Sequence, residues 1–373
     1  MTALYIHWPF CKKKCPYCDF NSHVRSNVEY DDWQKALFNE MQYMAEISNV
    51  KNVSSIFFGG GTPSLMPVSL VSALINEAER IFGFDGDIEI TLEANPTSFE
   101  ADKFKQFKAA GVNRLSLGVQ ALNDADLAFL GREHSAKEAI NVLDMAQKIF
   151  TRFSFDLIYA RPNQTPTKWR GELTEALQFL PTHLSLYQLT IEEDTPFARL
   201  HAARKFALPD EDCAIELYEI TEELCNINSL HSYEVSNYAA TNQQSSHNLT
   251  YWRGGDYIGI GAGAHGRILD HDGQWFATQT YKRPERWLER ASKNRHAIEI
   301  MQPLSAIERA EEILLTGLRL REGIEIAKIA PALNVAKMQL LAEMNLINIT
   351  HTHIIISKNG QLLIENIARE LIL

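Results

Sequence analysis

The 373-residue sequence predicts an α/β fold: a partial (β/α)6 barrel with a small C-terminal helical, winged-helix-like domain. Three observations carry that expectation. Short β-branched and aromatic runs alternate six times with helical patterns between residues 3 and 228. Polar and glycine residues fall where those runs end. Past Pro303 the texture changes to helices followed by a two-stranded wing.

The elements follow in order. "ALYIHW" (3–8) reads as a strand, leading through a cysteine-rich loop to a helix across 30–47. "SSIFF" (54–58) runs into "GGGTP", then a helix over 68–81. "DIEITLE" (87–93) precedes "ANPTSFEADKFKQFKAAG", one helix closed by Gly111 as its C-cap. "RLSLGVQ" (114–120) and "RFSFDLIY" (152–159) continue the alternation, and "HLSLYQL" (183–189) is the sixth strand. Repeated β-α order makes the sheet parallel with right-handed crossovers. Six units suit an open barrel better than an eightfold one. A helix over 210–228 and a loop-rich stretch from 231 to 300 follow. "LSAIERAEEILLTGLRLREGI" is helical, "IAKIAPALNVAKMQLLAEMNLI" gives two short helices, and "ITHTHIIIS" with "LLIEN" gives a hairpin. The expected divisions are a barrel at 1–240, an extension at 241–300 and a C-terminal domain at 301–373.

Hydrophobic content of 45% and charged content of 22% suit a globular protein. A formal charge of −11 argues against nucleic-acid binding, which needs a concentrated basic surface. Lys12, Lys13 and Lys14 form either a solvated loop or a patch beside an anionic group. The N-terminus lacks the pattern of a signal peptide, and no apolar run reaches the length of a membrane span, which leaves peripheral membrane contact open. Five cysteines, three of them clustered, make no disulfide framework and point to a reducing, cytoplasmic compartment.

Cys11, Cys15 and Cys18 have the spacing C-x3-C-x2-C. Three thiolates on one loop suit three irons of a [4Fe–4S] cube and leave the fourth iron open. The alternative is zinc with His7 or His23 as a fourth ligand, although no second cysteine pair lies nearby. Cys213 and Cys225 read as core residues on a helix. In barrels of this kind chemistry gathers at the C-terminal ends of the strands. Those ends deliver the cysteines, then Gly59, Gly60 and Gly61, then Glu93, Gln120, Asp156 and Tyr187 or Gln188.

The cysteine loop followed by "GGGTP" (59–63) resembles the radical S-adenosylmethionine (SAM) superfamily. The motifs "YIHWPFCKKKCPYCDFNS", "FFGGGTPSL", "LEANP", "GVQ" with Arg132, "DLIYARP" and "HNLTYW" with "GDYIGIGAGAHG" are similar, in order and over essentially the whole chain, to the oxygen-independent coproporphyrinogen III oxidase family. The similarity is strongest to its heme-chaperone branch. It implies a [4Fe–4S] cluster on the three cysteines and SAM chelating the open iron through its amino and carboxylate groups. It further implies a SAM site of Tyr5, Tyr17, Gly60, Gly61, Thr62, Glu93, Gln120, Arg132 and Asp156. Read as residues alone, Glu93 and Asp156 are acceptors for an ammonium or a hydroxyl, or else structural carboxylates. Gln120 offers a donor and an acceptor to a polar ligand or satisfies a loop. Arg132 pairs a carboxylate or lies on a solvated face.

Two departures put porphyrinogen decarboxylation in doubt. Asp19 and Phe20 follow Cys18 where the oxidases read C-x-C, and only Met1 and Thr2 precede the first strand where the oxidases carry an extension. Arg161 stands where the family more often has an apolar residue, and nothing in the sequence accounts for it. In the heme-chaperone branch the HNxxYW motif is implicated in heme binding, which implies His247 as iron ligand with Tyr251 and Trp252 beside the porphyrin. The alternatives are a loop histidine capping a turn, and His265 of "GAHG" as the ligand. The expected function is a heme chaperone carrying a SAM-coordinated cluster, with heme and unidentified acceptor hemoproteins as partners and no residue assigned as catalytic. The first rival is an enzyme, a radical SAM coproporphyrinogen III dehydrogenase; the second is a redox or scaffold protein holding zinc.

Overall fold

The computed structural model describes residues 2–373. The six expected strands form as β1 (Thr2–Trp8), β2 (Val53–Gly60), β3 (Phe84–Ala94), β4 (Arg114–Gln120), β5 (Arg152–Tyr159) and β6 (His183–Gln188). They pair in that order, all parallel. The crossovers carry α1 (Tyr30–Ile47), α2 (Val68–Phe82), α3 (Ala136–Ile149) and α4 (Pro166–Leu177), and α5 (Glu211–Ile227) follows the sixth strand. Between β3 and β4 the expected single helix is two short ones, Ser98–Ala101 and Phe104–Ala109. Gly111, at φ +110°, closes the second as its glycine predicts.

Side chains alternate between the two faces of a strand. The outer set is apolar: Leu4, Ile6, Ile56, Phe58, Ile90, Leu92, Leu115, Leu117, Phe153, Phe155, Leu184 and Leu186 all join one buried core with the helices. Each such side chain contributes roughly 1.5–3 kcal/mol on full burial. Strands buried on both faces ordinarily read as continuous apolar runs. Here the inner set is mostly polar, with Ser55, Glu89, Thr91, Arg114, Ser154 and His183 all buried. That inner face is the lining of a half-barrel.

The stretch from 231 to 300 is not loop-rich. It holds β7 (His231–Ser232), β8 (Asn237–Ala239), α6 (Ser246–Trp252), β9 (Asp256–Gly261), β10 (His265–Leu269), β11 (Trp275–Thr280), α7 (Pro284–Asn294) and β12 (Ile298–Leu304). The sheet runs β12-β11-β10-β9-β1-β2-β3-β4-β5-β6-β8-β7 and stays open. β9 lies parallel to β1, Thr2 opposite Asp256, and so adds a seventh parallel strand on the far side of the first. Its glycines look like loop residues but are required by close backbone approach. A Cβ on Gly259 would lie 2.0 Å from the His265 carbonyl oxygen, and one on Gly261 2.2 Å from that of His7.

Beyond the sheet, α8 (Ala306–Gly317) opens with a Ser305–Glu308 capping box. β13 (Ile324–Glu325), α9 (Val335–Glu343), β14 (Ile347–Ile349), β15 (His353–Ile356) and α10 (Ile364–Leu371) complete a helical C-terminal region with its own core. "LLIEN" is not the second strand of a hairpin. Ser357 caps a 3-10 turn at Lys358–Leu363, and Ile364, Ile367, Ala368 and Leu371 then recur at helical spacing. β15 pairs instead with β14 and β13. Among the described residues no helix is long and apolar enough to cross a membrane.

Candidate functional site

The mouth of the half-barrel is built where β1 to β5 end. Cys11 follows β1 directly and is buried, while Cys15 and Cys18 are partly exposed. The three thiols stand close enough that Cys15 and Cys18 both raise the pKa of Cys11, after burial, its largest cause. Among the described residues no three histidine, cysteine or acidic side chains converge on a single-ion centre. His7 has both ring nitrogens engaged, Nδ1 with the Tyr5 hydroxyl at 3.0 Å and Nε2 with the Asn21 carbonyl at 2.9 Å, and His23 Nε2 lies 3.1 Å from Asn21 Oδ1.

The glycine turn lies against this loop. Gly60 has φ +110°, and a Cβ there would meet the His7 ring at 2.6 Å; one on Gly61 would meet the Phe10 carbonyl oxygen at the same distance. The backbone of "GGG" is thus brought as near the loop as a chain can come. Thr62 donates its hydroxyl to Cys11 Sγ at 3.5 Å. Arg132 donates to Cys15 Sγ at 3.4 Å, to the Gly118 carbonyl at 2.8 Å and to Asn95 Oδ1 at 2.5 Å. Tyr17 packs against Phe197 beside the same loop.

Two carboxyls face each other across the mouth. Burial and then the neighbouring Asp156 push Glu93 up to about 8, although the Gly60 N–H donates to it at 3.2 Å. Burial likewise lifts Asp156 to about 6, opposed by Ser185, Arg114 and Arg132. A cationic or hydrogen-bonding guest would offset the cost of ionising this pair. Gln120 ends β4 after an irregularity in register, in the left-handed region at φ +71°. Its Oε1 is buried with no hydrogen-bond partner. Among the described residues nothing pairs that acceptor, which makes Gln120 a candidate ligand contact. Tyr5 lies deeper on β1, its hydroxyl 3.0 Å from His7 Nδ1. Burial and then Glu93 raise its pKa.

"HNLTYW" does not lie on a loop: it forms α6, which closes the floor of the half-barrel. Glu89, from the inner face of β3, accepts the N–H groups of Ser246 and His247, both at 3.1 Å, and the Ser245 hydroxyl at 3.3 Å. A buried carboxylate thus caps the helix N-terminus. Arg152 pairs with it at 2.8 Å. Burial alone would raise the Glu89 pKa, but Arg114 and Arg152 hold it below the usual range. His247 is 1% exposed, 3.0 Å from Ser55 Oγ through Nδ1 and 2.6 Å from the Tyr251 hydroxyl through Nε2. It stacks on Phe57 at 4.9 Å and lies 6.3 Å from the Tyr5 ring. Burial lowers its pKa to about 3, which keeps the imidazole neutral. Trp252 is partly exposed, and Arg319, paired with buried Glu234, covers its ring at 4.8 Å.

The structure therefore gathers the cysteines, Gly60, Gly61, Thr62, Glu93, Gln120, Arg132 and Asp156 at the mouth, and places His247 and Tyr251 on the floor below. His265 is exposed on β10, apart from that floor. Cys225 is a core residue, and Cys213, partly buried, packs against the same core with its thiol 3.9 Å from the Gln164 carbonyl. Arg161 now has an account. Its buried guanidinium pairs with Glu172 on α4 and, at 3.2 Å, with Asp126 of the short helix Asp124–Phe129. Glu89, Asn95 and Arg114 were not singled out from the sequence. The period-2 polar pattern of "DIEITLE" and "RLSLGVQ" is the signal that places Glu89 and Arg114 inside.

Comparison with known proteins places the chain among relatives in sequence and fold. The model of the radical SAM superfamily matches residues 5–174, and that of the HemN C-terminal domain matches 304–363. The chain is 37% identical to radical S-adenosyl methionine domain-containing protein 1, mitochondrial, of Danio rerio, over 87% of this chain and 74% of that protein. It is 38% identical to the heme chaperone HemW of Escherichia coli, over 86% of this chain and 83% of the relative. The coproporphyrinogen III oxidase HemN of Escherichia coli superposes with a TM-score of 0.82, covering 99% of this chain and 89% of its own, at 24% identity, which shows a shared fold.

Proposed function

The chain belongs to the radical SAM superfamily, in the family that includes the heme chaperone HemW, and from that membership we propose that it binds heme and passes it to acceptor hemoproteins. Cys11, Cys15 and Cys18 would hold a [4Fe–4S] cluster with one iron open to SAM. When bound, that group supplies one-electron reducing power next to a sulfonium. The protein's own part is to orient the guest. Gly60 and Gly61 admit the methionine end, Glu93 and Asp156 receive its cationic and hydroxyl groups, and Gln120 Oε1 gains the donor it lacks. Tyr5, Tyr17, Thr62 and Arg132 frame this site.

The observation that carries the chaperone reading is "HNLTYW" folded as α6 with His247 on the inner face of the half-barrel. For His247 to bind heme iron, Nε2 must part from the Tyr251 hydroxyl and α6 must swing from the floor, with Tyr251 and Trp252 flanking the porphyrin. Asp19 and Phe20 after Cys18 argue in the same direction, away from the oxidase pattern. In this reading 1–240 is the cofactor barrel, 241–300 the heme-binding extension and 301–373 a C-terminal domain, acting in a reducing compartment such as the cytoplasm.

An oxygen-free titration of the reconstituted protein with heme and SAM, followed by absorption and spin resonance, tests the reading. Heme is expected to bind with a Soret band, and His247→Ala to weaken it while iron and sulfide stay in place. Gln120→Ala and Asp156→Ala are expected to lower SAM affinity without loss of iron. Protoporphyrinogen formed from coproporphyrinogen III under a reductant would overturn the chaperone reading in favour of the oxidase.

A further inference from the structure

Asn95 of "LEANP" stands between Thr62 and Arg132, two donors that reach cysteine sulfurs, and the identity of each atom in its amide follows from its neighbours. Arginine can only donate. The Asn95 atom 2.5 Å from Arg132 Nη2 is therefore the oxygen, and the amide nitrogen faces Thr62 Oγ1 at 3.2 Å. Thr62 accepts from Asn95, which leaves its single proton for Cys11 Sγ at 3.5 Å. On the other side Arg132, held by Asn95 Oδ1 and the Gly118 carbonyl, aims Nη1 at Cys15 Sγ. Asn95 is itself pinned, since its backbone N–H donates to buried Glu100 at 2.7 Å. One amide thus sets the direction of hydrogen bonding at two of the three sulfurs.

We propose that Asn95 is a positioning residue for the cluster, orienting Thr62 and Arg132 as sulfur donors so that the reduced, more negative cluster is stabilised and its potential held up. Donors to cluster sulfurs raise the potential because they offset the charge gained on reduction. The inference rests on the proposed ligation of a cubane by Cys11, Cys15 and Cys18.

The test uses the full-length chain reconstituted without oxygen. Iron and sulfide are counted first, then the one-electron potential is measured with dithionite as electron donor and the reduced form is recorded by spin resonance. Asn95→Asp keeps an acceptor for Arg132 but takes the Thr62 proton for itself, so its potential is expected below wild type. Thr62→Val removes the same hydrogen bond and is expected to fall as well, whereas Thr62→Ser restores the hydroxyl and the wild-type value. Because both changes break one bond to Cys11, the double variant is expected to fall by less than the sum of the two singles. Fully additive shifts would mean that the added charge of Asn95→Asp acts alone, and they overturn the proposal. An unmoved potential in a variant with a complete cubane overturns it too. A wild-type protein that forms no cubane overturns the ligation reading, and the role of Asn95 with it.

Discussion

Replacing Glu89 by alanine removes the anchor of α6 without touching the motif it carries. Four interactions go together: two backbone N–H groups at 3.1 Å, the Ser245 hydroxyl at 3.3 Å and the Arg152 ion pair at 2.8 Å. Loss of a helix cap costs about 1 kcal/mol, and removal of one partner of a buried ion pair about 3–5 kcal/mol. Arg152 is 26% exposed and regains some water, so the lower end of the pair estimate applies. The sum is about 4 kcal/mol, a large part of a domain's net stability. Because the Glu89 pKa is depressed, its contribution is complete above the ordinary carboxylate value of 4.5 and is lost as pH falls through the native value. Urea unfolding at pH 7 and at pH 4 measures both. Glu89→Ala is expected to lower stability by about 4 kcal/mol at pH 7 and to show a shallower loss on acidification than wild type. A loss below about 1 kcal/mol at pH 7 would refute the idea that this carboxylate holds the floor.

Three further outcomes follow from the geometry. Gly60→Ala places a methyl 2.6 Å from a His7 ring that Asn21 and Tyr5 already fix, at a φ of +110°. It is expected to cost at least about 1–2 kcal/mol and to weaken SAM binding, read by denaturation and titration; wild-type values in both would remove the cradle from the site. Arg161→Ala takes the buried guanidinium from Glu172, which keeps the Leu122 N–H and Gln164, and is expected to destabilise by about 3 kcal/mol in urea while SAM affinity stays unchanged, so a variant that loses SAM instead would place Arg161 in the site. Glu40 is wholly buried and accepts from Gly261, Trp287 and Ala297, yet burial raises it to about 7 from 4.5. Its native state holds the proton more tightly, so the Glu40 contribution to stability is complete below pH 4.5 and falls by about 3 kcal/mol as pH rises to 7. Glu40→Gln should lose that part of the slope in melting curves from pH 5 to 8; an unchanged slope would assign the pH dependence elsewhere.

Much of the mouth was legible because it is made of local signals. A strand followed by cysteines, or by glycines, needs no distant partner to be recognised, and the barrel rule then converts strand ends into site residues. Glu93 and Glu89 show the limit. They are four residues apart on the same face of β3, but only Glu93 lies at the strand end. Glu89 acquires its role from a helix whose backbone starts more than 150 positions later. β9 was missed for the same reason, since it pairs with β1 from about 250 positions later in the chain and its glycines imitate a loop. "LLIEN" misled differently. Its apolar run suits a strand or a helix equally, and the Ser357 cap and the spacing through Leu371 decide for the helix. Arg161 had no local explanation because both its acids come from other elements.

One strand joins the floor to the mouth. Tyr5 lies against His247 at 6.3 Å and donates or accepts at His7 Nδ1, and His7 in turn touches the Asn21 carbonyl and fills the space beside Gly60. All three belong to or follow β1, the strand that leads directly into Cys11. Close-packed interiors transmit displacement because a neighbour has no free volume to move into. On the proposed reading, a floor helix that swung away to expose His247 would remove one wall of the Tyr5 ring, and a guest seated on Gly60 and Glu93 would brace the other end of the same row. The strand that leads to the first cysteine is therefore also the one whose inner residues feel α6, so on the proposed reading a change at the heme motif would reach the cofactor loop through β1.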